Sequence, residues 1–187
     1  MVKKVVDWHN TENMRHLAYR CTEILRGRKT KMIQLHKMND LDFEDYMARA
    51  ITDYAADKVA TGVWVKAEAV QLAKKAFDRL LPNGANTENE YLFTILNTEI
   101  NQKIGYLWFQ LSETLLYKTA FILDFIIFEP YRGRGYGQQT LKTLEEVAKR
   151  LDIHKMILHV FAHNTTAIAL YEKLGYKNTD ITMAKYL

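Results

Sequence analysis

The chain is poor in the residues that break or staple a fold: 187 residues contain 2 Pro, 8 Gly and a single cysteine, Cys21. A lone cysteine closes no internal disulfide, and no Cys-x-x-Cys or Cys/His cluster suggests a zinc site, so no metal is expected and a reducing compartment, the cytoplasm, is the natural location. No run approaches the roughly 18 apolar residues of a membrane span, and residues 1–31 lack the apolar centre of a signal peptide. No membrane partner is therefore expected. At 48% hydrophobic and 26% charged residues, the composition excludes disorder, collagen repeats and coiled-coil arrays and leaves one domain with a real core.

Acidic charge is scarce in one place. Residues 1–31 carry eight Lys and Arg against three acids, whereas residues 32–187 carry 18 against 19. The net charge of +4 thus belongs to a basic N-terminal extension, read as a short solvated helix. Its basic residues are interleaved with no aromatics beyond Trp8 and Tyr19, which argues against nucleic acid as the partner. A nucleic-acid-binding arm is the rival reading, and Met32 as the biological start is another.

From Met32 onward the periodicity is legible. MIQLHK reads as a strand, and a helix follows from Asn39 with a face of Phe43, Met47, Ala50, Ile51 and Tyr54, stopped near Gly62. A second helix presents Val70, Ala73, Phe77 and Leu80, with Ala69 and Ala76 beside them, and ends at Pro82-Asn83-Gly84. Tyr91–Asn97 and Ile104–Leu111 read as a hairpin, and the almost wholly apolar Thr119–Phe128 as a central strand. Gly135–Leu151 is amphipathic, Lys155–Phe161 a strand, Asn164–Leu174 a short helix closed by Gly175, and Ile181–Leu187 a last strand. The order implies one α/β (α+β mixed) domain over residues 32–187.

The stretch that carries chemistry runs from Phe128 to Gly137. Gly133, Gly135 and Gly137 let the backbone bend tightly and present successive N–H groups at a helix N-terminus, a cradle for phosphate oxygens, and Arg132 and Arg134 add positive charge. A lone Gly-x-Gly is also an ordinary strand-to-helix turn. It is no P-loop, since no Gly-Lys-Ser/Thr follows, and no dinucleotide fingerprint, since the spacing differs and no acidic ribose partner follows.

The run Arg132-Gly133-Arg134-Gly135-Tyr136-Gly137 resembles the pyrophosphate-binding signature of the GNAT superfamily of acetyl-CoA-dependent N-acetyltransferases. A second stretch, Leu158 to Tyr176, with Asn164, Ala167, Leu170-Tyr171 and Gly175-Tyr176, resembles that family's strand-helix segment. The resemblance covers about residues 32 to 187, including Tyr54-Ala55 and Gly62-x-Trp64, and does not extend to residues 1–31. It implies a central mixed, mostly antiparallel sheet flanked by helices, and transfer of the acetyl group of acetyl-CoA, as co-substrate, to a primary amine by direct attack on the thioester. By the resemblance, the main chain of Ile126, Ile127 and Phe128 pairs with the pantetheine arm, residues Arg132 to Gly137 hold the pyrophosphate, and Asn164 contacts the pantetheine besides capping its helix. Tyr171 would protonate the departing thiolate, a transfer that a phenol of pKa near 10 can make.

Asp124 is the candidate general base. It is the one charged residue inside an apolar strand, where a carboxylate must be partnered, hydrated or raised in pKa; a structural aspartate bonded to nearby backbone is the equal alternative. His159 and His163 read as strand-end histidines and His154 as surface. The resemblance places the acceptor pocket against the first two helices and the hairpin, where Tyr46, Tyr54, Trp64 and Trp108 lie, although such aromatics are core residues as a rule. The acceptor, a small molecule or a peptide amine, stays open. A non-catalytic acyl-CoA sensor is the alternative function, and homodimers are frequent among proteins of this resemblance.

Overall fold

Five runs rich in β-branched and aromatic residues pair into one sheet, in the order β1-β2-β3-β4-β5. In the computed structural model, which describes residues 32–183 and 185, these are β1 (Ile33–Lys37), β2 (Glu90–Asn97), β3 (Gln102–Glu113), β4 (Lys118–Ile127) and β5 (Ile153–Leu158). The first four run antiparallel to their neighbours, and β5 lies parallel to β4. A parallel step needs a crossover. Helix α3 (Tyr136–Arg150) supplies it, after α1 (Asp40–Ala60) and α2 (Lys66–Leu80) and before α4 (Thr165–Lys173). The expected mixed, mostly antiparallel sheet flanked by helices is present.

Local chemistry explains the helix ends. The Asn39 side chain accepts the Asp42 N–H at 2.8 Å, and Asp40 and Asp42 in the first turn of α1 complement the helix dipole. Beyond Ala60, Gly62 takes φ +72, a conformation open to glycine without strain. On one face of the sheet, Leu141, Leu144, Val147 and Ala148 of α3 pack on Ile33, Leu35, Phe93, Ile95, Leu107, Phe109 and Ile122. On the other, Tyr46 and Ala50 of α1 and Phe77 of α2 pack on Leu92, Tyr106 and Trp108. A polar group inside this second layer is satisfied: the buried Glu90 carboxylate accepts Trp108 Nε1 at 2.6 Å and Gln110 Nε2 at 2.5 Å.

Two expectations are corrected. Helix α2 buries Ala69, Ala73 and Phe77, while Val70 and Leu80 stay exposed. An i, i+4 stripe of small residues lets α1 and α2 approach closely, and Val70 lies one step round the helix from it. The last strand, expected over Ile181–Leu187, is not formed by residues 181–183 and 185, which are exposed and irregular; the rest of that run lies outside the described residues. Alternation of side chains supplies a strand pattern but no partner to pair with. The expected N-terminal extension, residues 1–31, also lies outside the described residues. Among the described residues no helix is long and apolar enough to cross a membrane.

Candidate active site

The site begins where the two parallel strands part. β4 and β5 pair from Lys118 opposite Ile153 to Ile122 opposite Leu158 and no further, while β4 runs on to Ile127. The cause is one extra residue. Trp108 of β3 faces Asp124 and Phe109 faces Ile122, so Leu123 is bulged out, and a bulge bends its strand and re-aims the residues after it.

Beyond the bulge, β4 keeps β3 as partner on one side. The Phe128 N–H donates to the Ile104 carbonyl at 2.8 Å; the antiparallel ladder alternates, so Ile126 also turns its main chain to β3 and Ile127 turns its own to the gap. Arg132 Nε reaches the Ile127 carbonyl oxygen from that side at 2.8 Å. The Phe128 carbonyl accepts the Tyr131 N–H at 2.9 Å. Of the three residues expected to pair with a pantetheine arm, Ile127 alone has its main chain on the open side, and Phe125 shares its orientation by the same alternation.

The glycine loop lies between β4 and α3. Gly133 and Gly135 take φ +72 and +78, and a Cβ at either would meet no atom within 4 Å. Their need is conformational. Gly137 differs: a Cβ there would press on Leu170 Cδ2 of α4 at 3.3 Å and stand 3.8 Å from the Phe125 ring of β4, so this glycine lets the start of α3 sit against both. Gly135 is the N-cap and offers no side-chain acceptor, and the first bond of the helix runs from the Gln139 N–H to the Gly135 carbonyl at 3.2 Å. The amides of the first turn therefore lack intrahelical acceptors, and their dipoles favour an anion. Arg132 and Arg134 are exposed beside them, and Tyr136 packs against the core.

Asp124 and Tyr171 approach the gap from different elements. The buried Tyr46 hydroxyl of α1 donates to Asp124 Oδ2 at 3.0 Å. Burial raises the Asp124 carboxyl above the ordinary value, opposed by the hydrogen bonds from Tyr46 and the Phe125 N–H. Tyr171 of α4 is half-buried, its ring 5.5 Å from that of Tyr176. Its phenol is raised by burial and then by the charge of Asp124, which places the two groups within electrostatic reach. Asn164 is exposed and caps α4, accepting the Ala167 N–H at 3.2 Å. His159 and His163 flank Phe161 with ring separations of 5.1 and 5.5 Å, exposed at the end of β5, and His154 is exposed.

Along α1 opens a groove of about 500 Å³ lined by Asp45, Arg49, Asp53, Lys103, Tyr106 and Phe128. Lys103 Nζ is held by Asp42 at 2.7 Å and Asp45 at 3.0 Å. Arg49 pairs with Asp53 at 3.4 Å and lies 5.2 Å from the centre of the Phe128 ring. The charges of Asp53 and Arg49 are felt at Asp124, which does not itself line the groove. None of the four aromatics expected in an acceptor pocket lines this groove. Tyr46 and Trp108 are 1% and 2% exposed, in the core, and Tyr54 packs edge-on against Trp64 at 5.4 Å. Sequence reasoning missed the groove and the partner of Asp124. A signal existed, because Asp42, Asp45, Tyr46, Arg49 and Asp53 recur at the three- and four-residue spacing of one helical stripe.

The sequence signature described as the Acetyltransferase (GNAT) family matches residues 63–176. The chain is similar to two Bacillus subtilis (strain 168) proteins, each described as an uncharacterized N-acetyltransferase. YycN is 40% identical over 157 residues, covering 83% of this chain and 99% of YycN, and YdgE is 36% identical over 153 residues, covering 82% and 97%. The crystal structure of YycN superposes with a TM-score of 0.77 at 39% identity, over 83% of this chain and 98% of that one.

Proposed function

Since the chain belongs to the GNAT acetyltransferase family, we propose that it transfers the acetyl group of acetyl-CoA to a primary amine, with Asp124 and Tyr171 handling the two protons. The parting of β4 from β5 after Ile122 and Leu158 carries this reading. It leaves a strand edge no longer paired with β5, on which the Ile127 carbonyl is held by Arg132 and the Phe125 N–H by Asp124, with a glycine-rich helix start at one end and a carboxylate and a phenol beside it. The residues fit the cofactor. Gly133 and Gly135 supply the left-handed backbone that brings the chain into the first turn of α3, whose amides would hold pyrophosphate with Arg132 and Arg134, and the Ile127 N–H and Phe125 carbonyl offer strand-like pairing to an extended arm.

Bound acetyl-CoA supplies an activated acetyl thioester. Asp124 accepts a proton from the acceptor, whose amine, with a pKa near 10.4, arrives as an ammonium. Tyr171, kept protonated at neutral pH by burial, would donate a proton to the departing sulfur and recover the one that the nitrogen sheds as it becomes an amide. The acceptor enters through the groove, whose two carboxylates, Asp45 and Asp53, are balanced by Lys103 and Arg49. Residues 1–31 are an extension of the transferase domain, and the lone Cys21 suits the cytoplasm.

The test is acetyl-CoA titration by calorimetry together with thiol release over a panel of polyamines, amino acids, aminoglycosides and N-terminal peptides. Tyr171→Phe is expected to leave the acetyl-CoA Kd unchanged and to lower kcat on the order of 10² to 10⁴-fold. An unchanged kcat removes Tyr171 from the mechanism. Tight acetyl-CoA binding with no thiol release from any member of the panel supports a sensor instead.

A further inference from the structure

We propose that Tyr46 is a positioning residue for the reaction, its buried hydroxyl holding the Asp124 carboxylate ionised at the mouth of the gap between β4 and β5. This inference rests on the reading of Asp124 as the base. The two residues are 78 positions apart and meet at 3.0 Å. Tyr46 is 1% exposed and packs edge-on against Tyr106 at 5.5 Å and Trp108 at 6.5 Å. Those ring contacts need only a phenylalanine. The hydroxyl, in contrast, would be an unsatisfied buried group without Asp124.

The surroundings of Asp124 show why this hydrogen bond matters. From β4 itself comes the Phe125 N–H, and from α1 come Arg49 and Asp53, whose charges act on Asp124 in opposite senses. From β3, Trp108 stands opposite, but its indole N–H is committed to Glu90 at 2.6 Å. From α4, Tyr171 feels the carboxylate. Tyr46 supplies the side-chain hydrogen bond, and a donor to the charged form favours that form. Burial and the adjacent carboxylate push its own phenol well above 10, so it stays a donor throughout the working range. The same residue ties α1, which carries Asp45, Arg49 and Asp53 of the groove, to the bulge of β4. The helix that receives the acceptor and the group that deprotonates it are thereby held in one register.

The experiment titrates Asp124 directly, by carboxyl carbon NMR of the full chain without ligand, in the wild type, in Tyr46→Phe and in a protein bearing 3-fluorotyrosine at position 46. The wild-type midpoint is expected above the ordinary aspartate value of about 3.9. Loss of the hydroxyl should raise it, and the more acidic fluorinated phenol, a stronger donor of the same shape, should lower it. Circular dichroism establishes that each protein is folded, and the fluorinated protein carries the test if the phenylalanine variant does not fold. An unmoved midpoint in a folded variant overturns the tie between Tyr46 and Asp124. The pH profile of kcat/KM, measured with the amine pool that releases thiol, should shift with the carboxyl. A carboxyl that shifts while the profile stays fixed refutes Asp124 as base, and with it the catalytic role of Tyr46.

Discussion

Gly135 separates the two demands made on the glycine loop, conformation and charge. Its φ of +78 is left-handed, and a Cβ there would meet no atom within 4 Å, so Gly135→Ala should lose only backbone energy. An L-residue in that region costs roughly 1–2 kcal/mol. At about 2–4 °C per kcal/mol for a domain of this size, the Tm should fall by about 2–8 °C. Gly62 has the same conformation, φ +72, and the same open surroundings, but lies in the turn after α1. Gly62→Ala should therefore show a similar thermal loss with acetyl-CoA affinity intact. The charge enters with Gly135→Asp, compared with Gly135→Asn, a near isostere that tolerates positive φ equally well. Two unit charges about 5 Å apart interact by about 3 kcal/mol at an effective dielectric constant of 20. The loop is exposed and screened by salt, which reduces this to about 1–2 kcal/mol, or about 5 to 30-fold in Kd. Calorimetric titration with acetyl-CoA at low and high salt reads the effect, and the gap between Asp and Asn should narrow as salt rises. If Gly135→Asp binds acetyl-CoA as tightly as Gly135→Asn at low salt, the anion does not sit at this helix start.

Two further substitutions probe the strand that carries the site. Asp124→Asn keeps an acceptor for Tyr46 and the Phe125 N–H but removes a titrating group whose folded pKa is raised by burial. The wild type therefore loses stability as pH climbs from about 4 through that folded value. The Tm advantage of Asp124→Asn should grow over that window and then level while activity falls, and a difference that does not vary with pH would refute a buried ionisable carboxylate. At Gly105, where β3 passes β4, a Cβ would overlap the Ile126 carbonyl oxygen. Gly105→Ala must push β4 away at a cost of about 1–3 kcal/mol, so both Tm and acetyl-CoA affinity should drop; a Tm equal to the wild type's would contradict the register of Gly105 against Ile127.

Much of this architecture was readable residue by residue. Asn39 and the acids behind it start α1, Pro82-Asn83-Gly84 follows the end of α2 at Leu80, and the apolar period of α3 survives as its buried face. These features follow from steric and hydrogen-bonding rules that act within a few residues. The loop of Arg132 to Gly137 was legible for the same reason, since a glycine-rich turn before a helix creates its free amides locally. The last strand shows the limit of this logic: Ile181 and Met183 have a strand's spacing, yet they are exposed and, among the described residues, belong to no strand.

Apart from the last strand, the sequence by itself determined the main strands and helices, their order and the glycine-rich helix start. Tertiary structure decided the rest. Nothing in Ile122-Leu123-Asp124-Phe125 announces that Leu123 is bulged, because a bulge exists only in relation to the register of β3. Nothing within reach of Tyr46 along the chain announces its bond to Asp124, nor does the spacing of Asp45, Arg49 and Asp53 say that their stripe faces Lys103, Tyr106 and Phe128. Local periodicity fixes which face of an element is apolar, but which distant groups meet depends on strand register and helix docking, and these are set by the packing of the whole core.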